Sequence, residues 1–184
     1  MNQAVSEAMD GFIHKFLQNN RSSKSALQIE YDPAWPSLCY RQQGATGDLV
    51  SWQPVKQSKA LVWDDFEKAL GLNLHPSIST FYQSYWSEHL RAQHTSGQLE
   101  LIQVWNEADF ERLQQNLIGH ILMKRRLKQA ETIFFALTEE DDFILSLNNA
   151  SGEVVLEQIG LEPKQVIAPD LASFLLSIEP VIAA

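Results

Sequence analysis

A long amphipathic helix followed by three short strands is the feature that most constrains the fold of this chain. Asn106 is a favourable helix cap, and apolar residues recur at helical spacing over 110–122. Three segments typical of strands follow at 132–137, 143–148 and 153–158, separated by short polar turns. Short turns of this kind join neighbouring antiparallel strands. The second half of the chain therefore predicts an antiparallel sheet accompanied by a helix.

The first half of the chain adds further helices and hairpins. Apolar spacing and turn residues predict an opening helix over 5–18, a loop over 21–36, a hairpin of 37–41 with 49–53, short helices over 64–70 and 76–86, and a hairpin of 89–93 with 98–105. A last helix begins after Asp170 and ends before Pro180. A chain of 184 residues suits one domain with its own core. We therefore predict a single compact domain over 1–184 of the α/β (α+β) class, with a mixed, largely antiparallel sheet flanked by helices.

All the net charge of the chain lies in its last third. Residues 1–128 contain 13 Lys and Arg against 13 Asp and Glu, whereas 129–184 contain only Lys164 against ten carboxylates, which gives the net charge of −9. A surface that concentrates one sign of charge attracts a partner of the opposite sign. This asymmetry predicts a basic partner and argues against nucleic acid or anionic lipid.

The N-terminal region and the apolar segments bear on location. Acidic residues stand near the N-terminus where a secretory signal has a basic region, and no apolar stretch approaches the roughly 20 residues that a membrane span requires. The only cysteine, Cys39, cannot form an internal disulfide and is expected to be a buried, inert thiol. We predict a cytoplasmic protein whose contact with a membrane is peripheral.

The chain lacks the usual sequence motifs of catalysis. It contains no Gly-rich phosphate loop, no Gly-x-Ser-x-Gly motif, and no Cys or His pair at the short spacing of a zinc site. His75 and His120 are expected to be packed or capping residues, and an enzyme that uses Glu139 or Asp142 with His120 is the weakest of the functional alternatives. We predict no enzyme activity, cofactor or metal.

The most conspicuous cluster is the acidic run Glu139, Glu140, Asp141 and Asp142. Its simplest interpretation is a solvated hairpin turn. The predicted sheet is also flanked by four other carboxylates, with no Lys or Arg between 128 and 164 to neutralise them: Glu131, Glu153, Glu157 and Glu162. This excess favours a partner-binding acidic groove, because like charges repel unless a partner offsets them.

A second acidic cluster is formed by Asp64, Asp65 and Glu67. It lies at the predicted start of a helix, where acidic residues are favoured, and Lys59 and Lys68 are close in sequence. We rank it below the acidic run as a partner-binding site.

Several short segments carry a resemblance to a known family. They are Trp-Gln-Pro at 52–54, the segment 76–82 with its Phe-Tyr pair, Gln-Val-Trp at 103–105, Asp-Phe at 109–110, Asn-Leu-Ile-Gly-His at 116–120, Arg-Leu-Lys at 126–128, Thr-Ile-Phe-Phe-Ala at 132–136, Asn148, and Ser-Gly-Glu-Val at 151–154. In order and spacing they resemble the Syd family of bacterial SecY-interacting proteins. The segment 20–36 departs from the family, and within the acidic turn Glu139 is the strongest match.

The resemblance implies a non-enzymatic protein held loosely on the cytoplasmic side of the inner membrane by SecY, the channel subunit of the translocase. It also implies an α/β fold related to the immunity-type SMI1/KNR4 group, a concave acidic face that meets basic cytosolic loops of SecY, and a role in regulation or quality control of the SecYEG channel. Under this hypothesis the partner-binding residues are Glu139, Glu140, Asp141, Asp142, Asp64, Asp65, Glu67 and Glu153. The alternative is an immunity or inhibitor protein that neutralises a basic toxin.

Overall fold

The computed structural model describes residues 2–21 and 27–182. Its helices are α1 (Gln3–Asn20), α2 (Asp64–Leu70), α3 (Pro76–Tyr82), α4 (Glu107–Arg126) and α5 (Leu171–Leu176). Its strands are β1 (Gln28–Glu30), β2 (Leu49–Ser51), β3 (Val55–Lys56), β4 (Tyr85–Trp86), β5 (Leu90–His94), β6 (Gly97–Leu101), β7 (Thr132–Thr138), β8 (Phe143–Asn148), β9 (Val154–Gln158), β10 (Pro163–Ala168) and β11 (Glu179–Pro180). The predicted α+β class is confirmed.

A seven-stranded sheet forms the centre of the fold. Its strand order is β10-β9-β8-β7-β6-β5-β11, and every neighbouring pair is antiparallel. Two small antiparallel ladders, β1 with β2 and β3 with β4, lie outside it. The predicted meander through β7, β8 and β9 is confirmed, and β10 extends it by a strand that the sequence analysis did not predict.

Helices pack on both faces of this sheet, as the contacts of two neighbouring residues of β7 show. Successive residues of a strand point to opposite faces. The ring of Phe134 meets His120 of α4, with ring centroids 5.4 Å apart. The ring of Phe135 meets Phe81 of α3 and Phe174 of α5, at 5.7 and 5.5 Å. The sheet therefore lies between α4 on one side and α3 and α5 on the other.

Helix α4 begins and ends as its sequence predicts. The side chain of Asn106 accepts a hydrogen bond from the backbone N–H of Asp109, which satisfies one free donor of the first turn. Acidic residues lie in the first turn and three basic residues, Lys124, Arg125 and Arg126, in the last. These charges complement the helix dipole.

The region before α2 differs from its prediction. Strand β1 lies within the predicted loop, and it pairs with β2, whose predicted partner was 37–41. That segment contributes only one isolated bridge, between Tyr40 and Trp52. Two backbone hydrogen bonds flank this bridge, from the Arg41 N–H to the Ser51 carbonyl and from the Gln53 N–H to the Cys39 carbonyl, so the predicted pairing is present only at this end. The start of the segment is held by the Ser37 hydroxyl, which donates to the Trp105 carbonyl at 2.6 Å and accepts from the Cys39 N–H. Part of the predicted loop, 22–26, lies outside the described residues.

The helix predicted over 76–86 ends earlier than expected. It stops at Tyr82, and Tyr85–Trp86 instead forms β4, paired with β3. The aromatic residues of this segment are therefore divided between two elements, with Phe81 and Tyr82 in α3 and Tyr85 and Trp86 in β4. Tyr82 is buried and its hydroxyl donates to the Phe134 carbonyl at 2.8 Å, which ties α3 to the sheet.

Candidate partner-binding site

The acidic run forms the turn between β7 and β8. Thr138 holds this turn, because its Oγ1 accepts from the backbone N–H of Glu140 at 3.2 Å and donates to the Phe143 carbonyl at 3.0 Å. The Phe143 N–H in turn donates to the Glu140 carbonyl. All four carboxylate side chains of the turn are exposed. We name Glu139, Glu140, Asp141 and Asp142 the acidic turn.

Hydrogen bonds to neighbouring strands orient two of these carboxylates. Glu139 Oε2 lies 3.4 Å from the backbone nitrogen of Gln98 in β6, and Asp142 Oδ2 accepts from the side-chain amide of Gln158 at 2.6 Å. Within the described part of the chain, no Lys or Arg comes within 4.0 Å of any carboxylate in the acidic turn. The turn therefore presents four negative charges that the described residues leave unpaired.

A cleft of about 180 Å³ opens beside the acidic turn. It lies between the β5–β6 turn, the acidic turn, β10 and α5. Part of its wall is apolar, with Leu145, Leu156 and Ile167 from three adjacent strands. Glu139 and Glu140 line it, and so does Lys164. The Lys164 ammonium lies 4.9 Å from the centroid of the Phe143 ring, a cation–π contact.

The second acidic cluster lies at a different place in the fold. Asp64, Asp65 and Glu67 occupy the first turn of α2, and Glu67 Oε1 accepts from the Leu74 N–H at 2.7 Å. The adjoining residue, Asn73, is linked to the β8–β9 turn, because the Asn149 side chain donates to its carbonyl at 2.9 Å. Glu153 ends that β8–β9 turn, and its carboxylate accepts from Ser151.

The structure therefore divides the eight predicted partner-binding residues into two groups. The acidic turn precedes β8, and the β8–β9 turn with Glu153 follows it. A strand of six residues spans roughly 20 Å, so the two groups lie at opposite ends of the sheet. Lys59, expected near Asp64 and Asp65, instead lies 3.9 Å from Glu107. The geometry offers two separate acidic surfaces instead of one continuous groove.

Two further carboxylates, which were expected to have no basic partner, form ion pairs in the structure. Arg125 forms an ion pair with Glu131, and Lys124 forms one with Glu157. Both bases come from the last turn of α4, which packs on the sheet and brings Arg125 to the residue before β7 and Lys124 to β9. The expectation that no base neutralises Glu131 and Glu157 is therefore wrong.

Glu157 is the centre of a buried polar network. Its carboxylate accepts from Lys124 Nζ at 2.8 Å and from the hydroxyls of Thr132 and Ser146 at 2.7 Å each. Burial alone would raise the pKa of this carboxyl, but hydrogen bonds from His120, Lys124 and the two hydroxyls outweigh it and lower the pKa to about 2. Glu157 is therefore ionised at neutral pH and is not part of the exposed acidic surface.

The histidines and the cysteine occupy the structural positions predicted for them. His75 caps α3, since its Nδ1 accepts from the Ser77 N–H. His120 Nε2 lies 2.8 Å from Thr132 Oγ1. Because that hydroxyl donates to Glu157, His120 Nε2 must carry the proton in this network. Cys39 is fully buried, and burial raises its pKa to about 11.

The described residues offer neither a metal site nor a membrane-spanning helix. Over 2–21 and 27–182, no group of three or more His, Cys, Asp or Glu side chains is arranged to hold a metal ion. Over the same residues, no helix has the length and apolar character needed to cross a membrane.

The cleft is a candidate site that the sequence did not predict. Lys164 and Ile167 belong to β10, which was not predicted, and Phe174 reaches the cleft from α5. A signal for β10 does exist, because Val166 and Ile167 are β-branched and lie between Pro163 and Pro169. The cleft itself arises only when the six strands from β5 to β10 and helix α5 meet.

Together these features describe an α+β protein with an antiparallel sheet, whose most distinctive surface is an unpaired acidic turn beside an apolar cleft. The chain belongs to the Syd family: the family model described as Syd protein (SUKH-2) matches residues 6–180. The chain itself is 50% identical over 182 residues to Protein Syd of Pseudoalteromonas atlantica, with 98% of each chain covered. It is 45% identical over 179 residues to Protein Syd of Alteromonas mediterranea, with 97% of this chain and 98% of that protein covered.

Proposed function

We propose that this protein binds basic cytosolic loops of SecY through its acidic turn, without enzymatic activity, and regulates or monitors the SecYEG channel. Membership of the Syd family supports the identity of the partner. The observation that carries the proposed site is the absence of any Lys or Arg partner for the acidic turn among the described residues. On this proposal the protein is cytoplasmic and attaches to the inner membrane only through SecY.

The charge of the proposed partner suits this surface. Cytoplasmic loops of membrane proteins carry an excess of Lys and Arg, so they complement exposed carboxylates. One exposed ion pair contributes only about 0 to 1 kcal/mol, so several carboxylates of the turn must act together. Such contacts are screened over about 8 Å at 0.15 M salt, so binding by this mechanism weakens as salt increases.

The direct test is titration of the purified protein onto SecYEG in nanodiscs at low and near-physiological salt, with empty nanodiscs as the control. The test variant is the double substitution Glu140→Gln and Asp141→Asn, which removes two exposed charges of the turn. The matched control is Glu30→Gln with Glu111→Gln, which removes two exposed charges elsewhere. We expect the turn variant to bind several-fold more weakly with a shallower salt dependence, and the control to bind like the wild type.

Two results would contradict the proposal. Unchanged affinity and salt dependence in the turn variant would show that the acidic turn is not the contact surface. Absence of saturable binding to SecYEG at either salt would reject SecY as the partner and would favour the alternative, a protein that neutralises a basic toxin.

A further inference from the structure

The cleft beside the acidic turn combines an apolar interior with charged edges. Leu156 and Ile167 are half-buried although each faces several apolar neighbours, and Phe143 is half-buried beside them. Apolar side chains left partly open to water gain free energy when a partner covers them. The position of Glu139 and Glu140 in the lining means that any group entering the cleft passes next to two unpaired carboxylates.

The size of the cleft limits what can enter it. Its volume of about 180 Å³ is close to that of an engineered protein cavity of about 150 Å³ that binds benzene. One leucine-sized side chain therefore fits within it. The same cleft is open to solvent next to the exposed acidic turn, so the entering side chain can belong to a segment that continues across the turn.

Lys164 bears on the charge of that segment. It is the only base after Lys128, and its ammonium lies over the Phe143 ring at the edge of the cleft. A basic segment bound at the acidic turn is attracted by four carboxylates and repelled by this single ammonium. Removing the charge of Lys164 should therefore strengthen binding of a basic segment and weaken binding of an acidic one.

We propose that the cleft is an anchor site for one leucine-sized aliphatic side chain of the partner, presented next to basic residues that contact the acidic turn. This inference rests on the proposed function for the identity of the partner, but the anchor itself follows from the cleft. A few residues carry most of the binding free energy of a typical interface, and they fill desolvated pockets surrounded by contacts that contribute little. The acidic turn then sets the salt dependence of binding, and the cleft supplies affinity that salt does not screen.

The test compares two synthetic peptides, Gly-Lys-Arg-Leu-Lys-Arg-Gly and the same peptide with Ser in place of Leu. Both carry the same charge, so a difference in affinity reports the apolar contact alone. We expect the wild-type protein to bind the leucine peptide about tenfold more tightly, the effect of burying one aliphatic side chain. Both affinities should fall in parallel as salt increases.

Variants of the cleft locate that contact. Leu156→Trp fills the cleft and Ile167→Gln makes its wall polar, and both should reduce the preference for leucine to less than twofold. Val166→Gln is the matched control, because Val166 is the neighbouring residue on β10, does not line the cleft and is already 53% exposed. It should retain the tenfold preference. Thermal unfolding of each variant verifies that it is folded.

The outcomes separate this inference from the proposed function. Equal binding of the two peptides by the wild type, or a preference that survives in both cleft variants, would overturn the anchor even if SecYEG binds with the expected salt dependence. A leucine preference lost in the cleft variants would support the anchor even if SecYEG in nanodiscs does not bind. Failure of both peptides and of SecYEG to bind would overturn both proposals.

Discussion

Lys124 Nζ lies 2.8 Å from Glu157 Oε2, and both side chains are only 1% exposed. The pair joins α4 to β9, and Lys124 also donates to the Leu161 carbonyl at 3.1 Å, which fastens the β9–β10 turn. A buried ion pair holds two elements in one relative position, and removal of either partner leaves a charge in a medium that solvates it poorly. This contact therefore fixes the strand from which the cleft side chain Leu156 projects.

We expect Lys124→Met to lower the free energy of unfolding by about 3 kcal/mol, because Glu157 then remains buried without its ammonium partner. Combining it with Glu157→Gln should recover part of this loss, since the remaining group is neutral and still reaches Thr132 and Ser146. Urea unfolding measures both. Arg126→Met is the control, because Arg126 belongs to the same last turn but is exposed. A loss as large in Arg126→Met as in Lys124→Met would contradict this interpretation.

The low pKa of Glu157 predicts loss of stability in acid. Its pKa is about 2 in the folded protein against an ordinary value of 4.5, so the ionised carboxylate favours the folded state at every pH above about 4.5. As the pH falls from 4.5 toward 2, the unfolded chain takes up the proton first and this contribution disappears. We expect the free energy of unfolding to fall less steeply over this window in Glu157→Gln.

The control for the acid experiment is Glu162→Gln, which removes an exposed carboxylate from the adjacent β9–β10 turn and leaves the buried network intact. Urea unfolding at several pH values from about 2 to neutral provides the measurement, because this range includes both the ordinary pKa of 4.5 and the folded-state pKa of about 2. If the wild type and Glu157→Gln lose stability in parallel over the window, the network around Glu157 does not govern acid unfolding.

Two glycines should respond to alanine in opposite directions. Gly152 has φ +79° in the β8–β9 turn, and a Cβ added there would lie 2.6 Å from His75 Nε2. Gly119 lies within α4, and a Cβ added there meets nothing within 4 Å. We expect Gly152→Ala to cost about 1 to 3 kcal/mol and Gly119→Ala to stabilise by about 1 kcal/mol. Thermal unfolding of the two variants gives the measurement. A change of the melting temperature in the same direction for Gly152→Ala and Gly119→Ala would contradict this explanation.

Lys164→Met tests the sign of charge on the partner. It removes an ammonium from the edge of the cleft and keeps most of the aliphatic stem over Phe143. We expect affinity for SecYEG in nanodiscs to increase several-fold at low salt and to approach the wild-type value as salt increases. Lys68→Met, at the opposite acidic surface, is the matched control. Weaker binding of Lys164→Met would mean that this ammonium contacts an acidic group of the partner.

The sequence predicted correctly those helices and strands whose signals lie within a short stretch of the chain. Helix α4 carries a cap, a long apolar stripe and complementary charges at both ends, and the strands that follow are separated by evident turns. Strand β2 was predicted, but its pairing with β1 was not. The alternation of apolar and polar residues around Val50 indicates a strand, but it does not indicate whether that strand pairs with β1 or with 37–41. Strands β1 and β10 bury few residues and therefore leave a weak periodic signal.

The candidate site was predictable only in part for a similar reason. The acidic turn was found because its four carboxylates are consecutive in the chain. The pairing of Glu157 with Lys124 was missed because 33 residues separate them. The cleft requires Leu145, Ile167 and Phe174 from separate elements, and no spacing in the sequence indicates that they meet.

The two edges of the central sheet restrict how any partner can bind. Strand β11 has only two residues, ends in Pro180, and is covered by α1, whose Asn19 donates a hydrogen bond to the Pro180 carbonyl. Strand β10 begins with Pro163 and contains two register irregularities. Proline and bulges deprive an edge of the regular ladder that an added strand would extend, which also guards against edge-to-edge aggregation. Selectivity for a partner therefore has to come from side-chain contacts, since neither edge offers a backbone template.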